Sequence, residues 1–407
     1  MSARVTREGR ISLVSLIALG CAVLAPAVRP ATAADDGRAA RRVAVPAGEG
    51  TKAEPTDNPA DVMSPARWKQ VDRTVDKALR WLARRQRPDG SFQSPASGQP
   101  AITALSVMAF MSGGHLPGQG PYGRQLARAV RFILSCQKAD GLLSLETPGP
   151  THEDLAPSHT ATYNHGIAGL CLSELYGMGD AKLTKDMKPV IDKALTWTHR
   201  HQHAPKRDPF DRGAWRYLHD GRFGQGTVQA DLSVTSWMLM FMRSAKNAGF
   251  KVSAKDVDAA LAFVIRVFDR TDGTFRYSRN TFSGRARPAM VGAGILSLSL
   301  AGRHNTTMAR SAGQWMLARP FTSYNTGSIR RYHYSVFYGS MAMFHLGGRY
   351  WKEFYPRTAD TLVRHQHADG SYEPESRKDG YFGSAYTTSL AVLALTVPNQ
   401  MLPITQR

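Results

Sequence analysis

The sequence predicts an all-α chain of six helical hairpins closed into a two-layered ring, on three observations. A helix-ending phrase recurs six times. Each copy is followed by a second, more apolar helical stretch. No convincing strand-type alternation appears anywhere in the 407 residues.

The first copy reads Ala78-Leu79-Arg80-Trp81-Leu82, then Gln86, then Asp89-Gly90-Ser91-Phe92. The second reads Ala129 to Ile133, Gln137 and Asp140-Gly141; the third reads Ala194 to Trp197, Gln202 and, after an insertion, Gly213-Ala214-Trp215. In the fourth, Ala260 to Val264 precedes Phe268 in the glutamine slot and Asp272-Gly273-Thr274-Phe275. The fifth is degraded: Ala312 to Met316, with Pro320 in the slot. The sixth is Leu362, Gln366 and Asp369-Gly370-Ser371-Tyr372. Successive anchors lie 46 to 66 residues apart, the length of one helical hairpin, which cannot bury its apolar face alone.

Each hairpin shows the same division of labour. Ser64-Pro65 offers a helix start, a capping hydroxyl followed by a residue with no amide hydrogen. Trp68, Val71, Val75, Ala78, Leu79 and Leu82 then recur at helical spacing, and Pro88-Asp89-Gly90 ends the helix. The next stretch, Ile102 to Phe110, is apolar nearly all round and is expected to be buried on every side. Its counterparts are 163–176, 232–243, 289–300, 334–346 and 385–395.

The glutamine followed by Gly-x-aromatic resembles the QW motif. On it the chain is similar to the prenyltransferase and squalene-cyclase repeat superfamily over about residue 66 to the C-terminus. That resemblance implies an (α/α)6 toroid with a substrate cavity at the N-terminal ends of the inner helices. Tyr163-Asn164-His165-Gly166, Gly213-Ala214-Trp215-Arg216-Tyr217, Asp231 to Thr235, Ala245 to Gly249, Tyr350-Trp351 and the tail Leu402 to Arg407 further resemble exported planctomycete-type members. No settled activity carries over from that subgroup.

Residues 1–33 read as an export signal: Arg4, Arg7 and Arg10, an apolar stretch from Ile11 to Leu24, and Ala31-Thr32-Ala33 for cleavage. An uncleaved anchor is the alternative, and the one expected route to a membrane. Residues 34–63 read as a flexible tether and 64–407 as the toroid, in a periplasmic or extracellular protein. The net charge of +20 suits acidic partners, but no compact basic run carries interleaved aromatics, so nucleic acid is not an expected partner. Cys136 and Cys171 are expected to be buried thiols rather than a disulfide.

The candidate catalytic residues are Asp231, His165 and Tyr334. Asp231 opens the third inner helix, where cyclases of the superfamily hold an Asp-x-Asp-Asp acid. Here it stands alone, and its simpler reading is an N-cap. Asp256-Val257-Asp258 echoes the motif but starts an outer helix. His165 and Cys171 are six apart, out of register for the zinc site of protein prenyltransferases, so no metal and no cofactor is expected. His152, Glu153, Asp154 and His159 fall in a loop expected to enter the second inner helix. Tyr163, Asn164, Trp237, Tyr338 and Tyr386 are the expected cavity walls. The expected occupant is a hydrophobic or polymeric ligand, or a partner. A terpenoid-cyclase-like or prenyltransferase-like enzyme and a polysaccharide-active enzyme are the alternatives.

Overall fold

Twelve α-helices alternate between an outer and an inner layer among the described residues of a computed structural model, 58–179, 181–218, 228–282, 284–327 and 329–406. The outer helices are α1 (Pro65–Arg84), α3 (Gly123–Ser135), α5 (Ala181–Gln202), α7 (Ala254–Arg266), α9 (Thr307–Leu317) and α11 (Gly348–His365). The inner ones are α2 (Ala101–Ser112), α4 (Pro157–Leu175), α6 (Leu232–Asn247), α8 (Pro288–Leu300), α10 (Tyr332–Leu346) and α12 (Gly383–Thr396). Each inner helix packs on the next, and α12 packs back on α2, so the inner layer is a closed ring. The expected (α/α)6 toroid is therefore observed.

Burial follows the sequence pattern. All twelve residues of α2 are buried, whereas α3 buries one stripe: Leu126, Ala127, Ala129, Val130, Phe132 and Ile133. The export signal and most of the tether lie outside the described residues. The packed domain begins before the expected boundary at 63: Pro59–Val62 form a short 3-10 turn, and the indoles of Trp68 and Trp351 donate to the carbonyls of Ala60 and Pro59. Ser64 has the extended backbone of an N-cap but no side-chain capping bond, so Pro65 and chain geometry start α1 without the expected hydroxyl.

The recurring phrase is a seal between neighbouring outer helices. Gln86 Nε2 donates to Gly90 O, within its own turn, and to Gln125 O on α3. Gln137 does the same to Gly141 O and Val190 O, and Gln202 to Gly213 O and Asp256 O. Gln366 reaches Gly370 O and then Thr74 O at 2.8 Å, back on α1, which closes the ring. The closure is reinforced by Trp81 Nε1 on Asp369 and by the Arg67–Asp360 ion pair. Each sealing glycine has positive φ and lies so close to the next outer helix that a Cβ would meet a backbone carbonyl, as at Gly141 with Lys193 O, 2.4 Å away.

The two copies without glutamine use substitutes. At Phe268, two short strands, Phe268–Asp269 and Thr274–Phe275, pair antiparallel, and Arg276 ties Asp269 and Asp272 at 2.7 Å each. At Pro320, Phe321 packs edge-on against Phe354 of α11 and its carbonyl accepts from Tyr332 Oη. These strands, and single bridges at Gln86–Phe92 and Gln137–Leu143, are the β-structure of the described residues. They lie within the phrase, too short for period-2 alternation to register.

The chain ends by filling one mouth of the ring. Leu402 and Ile404 pack with Met108, Leu170, Met240 and Leu393, and Ile404 N donates to the buried carboxyl of Glu174. Burial pushes Glu174 up to about 7, against bonds from Ile404 and Ser244. Cys136 and Cys171 are both free and buried, and burial raises Cys136 to about 12.

Candidate functional site

The opposite mouth, at the first turns of the inner helices, holds a cleft of about 670 Å³ partly open to solvent. Ile102 and Leu105 of α2, Tyr163, Asn164 and Ile167 of α4, Trp237 of α6, Tyr334 of α10 and Tyr386 of α12 form its walls. His159, Arg331 and Phe382 also line it. Five of the eight residues singled out from sequence therefore meet in one cavity: Tyr163, Asn164, Trp237, Tyr334 and Tyr386.

Much of the polar capacity of these walls is spent on structure. Asn164 Oδ1 accepts from Ala101 N and its Nδ2 donates to Ser97 O, which pins the start of α2. Trp237 Nε1 donates to Tyr334 Oη at 2.9 Å, and that hydroxyl also bonds Ser233 Oγ. The Trp237 indole stacks on Phe337 at 5.4 Å and 8°. Burial raises the Tyr334 phenol, so it stays protonated. Tyr338 lies outside the cleft lining, its hydroxyl 2.7 Å from Ser236 Oγ.

His165 does not reach the cleft. Its helical position points it outward, against α5, where Nε2 bonds Thr198 Oγ1 at 2.9 Å and Nδ1 accepts from Leu143 N at 3.1 Å. Its ring packs 4.3 Å from Trp197. Burial drives its pKa down to about 3, with His201 adding to the effect. A proton on Nδ1 would face the Leu143 N–H, so the site holds neutral imidazole.

Asp231 is fully buried at the N-cap of α6, where Oδ1 accepts from Val234 N. Its other oxygen lies 3.8 Å from Arg216 and has no hydrogen-bond partner among the described residues. Burial raises it to about 6, opposed by Arg216 and the Val234 amide. Asp231 is absent from the cleft lining but belongs to a polar knot behind it: Arg216 lies over Tyr217 and Tyr277, whose hydroxyls are 2.5 Å apart.

The expected loop at 152–159 is partly helix, because α4 starts at Pro157 and puts His159 on its first turn. His159 Nδ1 lies 3.0 Å from Asp154, which also binds Lys378, and the His159 ring packs 4.0 Å from Tyr217. Burial lowers His159 to about 4, against the pull of Asp154. Arg331, Phe382 and the Arg216–Tyr217–Tyr277 knot were not legible as site residues. For Arg331 and Phe382 the available signal was an arginine or aromatic just before an inner-helix start.

Residues 62–222 match the model of the prenyltransferase alpha-alpha toroid domain. Over those residues the chain is similar to that domain, and its closed ring of six hairpins has the α/α toroid fold. No curated protein matches it significantly. Among solved structures it is similar to a type II terpene cyclase from Scytonema in complex with its product merosterolic acid A, at 14% identity and TM-score 0.53, covering 84% of this chain and 100% of that one. It is similar to the cellobiose 2-epimerase of Spirochaeta thermophila at 13% identity and TM-score 0.54, over 82% and 96%. An alpha-1,6-mannanase of Salegentibacter, in complex with alpha-1,6-mannotetrose, matches at 12% identity and TM-score 0.52, over 80% and 97%. At such identities this toroid shares a fold with these proteins and no more.

Proposed function

We propose that this toroid is an exported binding protein that holds an anionic amphiphile, its apolar body in the cleft and its acidic head at the arginine rim. One observation carries the reading: the cleft is walled by aliphatic and aromatic side chains, has Arg331 at its edge, and includes no Asp or Glu among its lining residues. Arg287 lies over Tyr277 and feels Arg330 and Arg331, so positive charge is concentrated at this mouth. Glycosidic cleavage asks for paired carboxyls at the bond, and alkene protonation for an acid in contact with it. Export rests on the basic and apolar character of residues 1–33.

The test is binding of a long-chain fatty acid, measured by quenching of tryptophan fluorescence, beside the matching fatty alcohol and a neutral oligosaccharide. The fatty acid is expected to bind at least about tenfold more tightly than the alcohol, the worth of one charge-assisted contact of about 1.5 kcal/mol. Arg331→Gln is expected to erase that preference. Equal binding of acid and alcohol, or preference for the oligosaccharide, contradicts the reading.

Acid catalysis at Asp231 is a second reading, favoured by its elevated pKa near 6 and its partnerless oxygen. It requires the knot of Arg216, Tyr217 and Tyr277 to open toward the cleft.

A further inference from the structure

Outside the cleft, one cluster of ligating side chains belongs to no role assigned above. We propose that His199, His203 and Asp256 form a binding site for a divalent transition metal, with Zn2+ as the fitting ion, on the outer layer where α5 meets α7.

The sequence sets up the geometry. His199 and His203 are four residues apart, and the bond from His203 N to His199 O extends the last turn of α5 to His203, so their rings share one face. The rings lie 4.5 Å apart. Facing them is Asp256, in the first turn of α7. His199 Nδ1 is 2.7 Å from Asp256 Oδ2, and His203 Nε2 is 2.9 Å from Oδ1. One ligand atom from each of the three lies within 4.8 Å of the other two. Tetrahedral Zn2+ with bonds of about 2.0–2.1 Å keeps its donors roughly 3.4 Å apart, so small side-chain rotations close the set.

The carboxylate is the pre-positioned member. The Asp256 side chain is 8% exposed, while the imidazoles are 59% and 55% exposed. Its carbonyl accepts from Gln202 Nε2, and its amide bonds the N-cap Ser253 Oγ. The seal between α5 and α7 thus fixes the backbone of the ligand, as supporting bonds do around metal centres. Two imidazoles and one carboxylate are a donor set suited to Zn2+, and water supplies the fourth position on the exposed side. The bound ion would staple two adjacent outer helices at the repeat that carries the long insertion between Gln202 and Gly213. The sequence signal was a histidine pair at i, i+4 at the end of an outer helix, facing an acid two helices on in the chain.

The experiment uses the full chain without a histidine tag, stripped of metal by chelator and titrated with ZnCl2 in a calorimeter at neutral pH. One Zn2+ per chain is expected to bind, raising Tm, with chelator reversing the rise. Co2+ is expected to give the visible absorption of a low-coordinate site. His199→Gln and His203→Gln, both at exposed positions, are each expected to weaken binding at least about tenfold while leaving the metal-free Tm nearly unchanged. Absence of saturable binding overturns the proposal. So does binding that survives both histidine substitutions, which would place the ion on other groups and leave these three as a hydrogen-bonded cluster. Neither result bears on the cleft reading.

Discussion

Gly370→Ala is expected to lower the stability of the toroid by about 3 kcal/mol, the combined scale of backbone strain at positive φ and of overpacking. Gly370 has φ +98°, and a Cβ there would lie 2.4 Å from Lys77 O on α1. The turn must therefore withdraw from α1, and it carries with it the bonds from Gln366 to Thr74 and from Trp81 to Asp369. Gly249 is the control: its φ is +89°, and nothing lies within 4 Å of the added carbon. Gly249→Ala is expected to cost about 1 kcal/mol, the backbone term alone. Urea unfolding of the two variants beside the parent chain measures the difference. Equal losses would mean that contact with the next outer helix contributes nothing. Gly141→Ala, with its Cβ position 2.4 Å from Lys193 O, is expected to match Gly370→Ala, because closure uses the same joint as the other glutamine seams.

Acidification from neutral pH is expected to destabilise the chain, with His165 as the main single contributor. The imidazole ordinarily titrates at 6.5, and the fold lowers it to about 3. A lowered base binds fewer protons folded than unfolded, so its stabilisation is complete above 6.5 and is lost as pH falls toward about 3. The loss is on the order of 5 kcal/mol for a fully buried group with such a displacement. His159, lowered to about 4, acts in the same direction. Glu174, raised from 4.5 to about 7, and Asp231, raised from 3.8 to about 6, act oppositely. Raised acids contribute stability that is complete below the unfolded value and is lost as pH rises through the folded one. The histidines prevail because His165 has the largest displacement and keeps acting below pH 4.5, where Glu174 has stopped. His165→Asn, which cannot titrate, is expected to be less stable at neutral pH and to show a flatter decline toward acid. An unchanged slope would contradict the neutral, doubly bonded imidazole seen against Thr198 and Leu143.

How much of this was legible depended on whether a feature was periodic. The seals repeat, so Gln86, Gln137, Gln202 and Gln366 announced themselves, and six repeats of that length leave few architectures beyond a ring. Tyr163, Trp237, Tyr334 and Tyr386 lie within the first two turns of their inner helices, which is why they converge although they are distant in sequence. His165 misled because apolar periodicity fails on a helix buried on all sides. With no solvent face to fix the phase, a polar residue two positions from Tyr163 looked equally able to face the cavity. It turned instead toward α5, where Thr198 and Leu143 N satisfy it. The His199–His203–Asp256 cluster was invisible because its acid belongs to the next outer helix, brought near only by the Gln202 joint. In the sequence, Asp256 reads only as an echo of a cyclase acid at the start of an outer helix.

Closure of the ring is the claim on which the cleft, the seals and the plugged far mouth depend. Arg67 on α1 and Asp360 on α11 form an ion pair at 2.6 Å, and both are exposed enough to replace. Spin labels on cysteines at these two positions, with Cys21 changed to Ser and the buried Cys136 and Cys171 left in place, report the separation of the first and last outer helices by electron–electron double resonance. A closed ring gives one narrow distance below about 20 Å, since packed helices lie 8–10 Å apart. An open stack of six hairpins at that spacing gives about 50 Å, and that value would contradict the account.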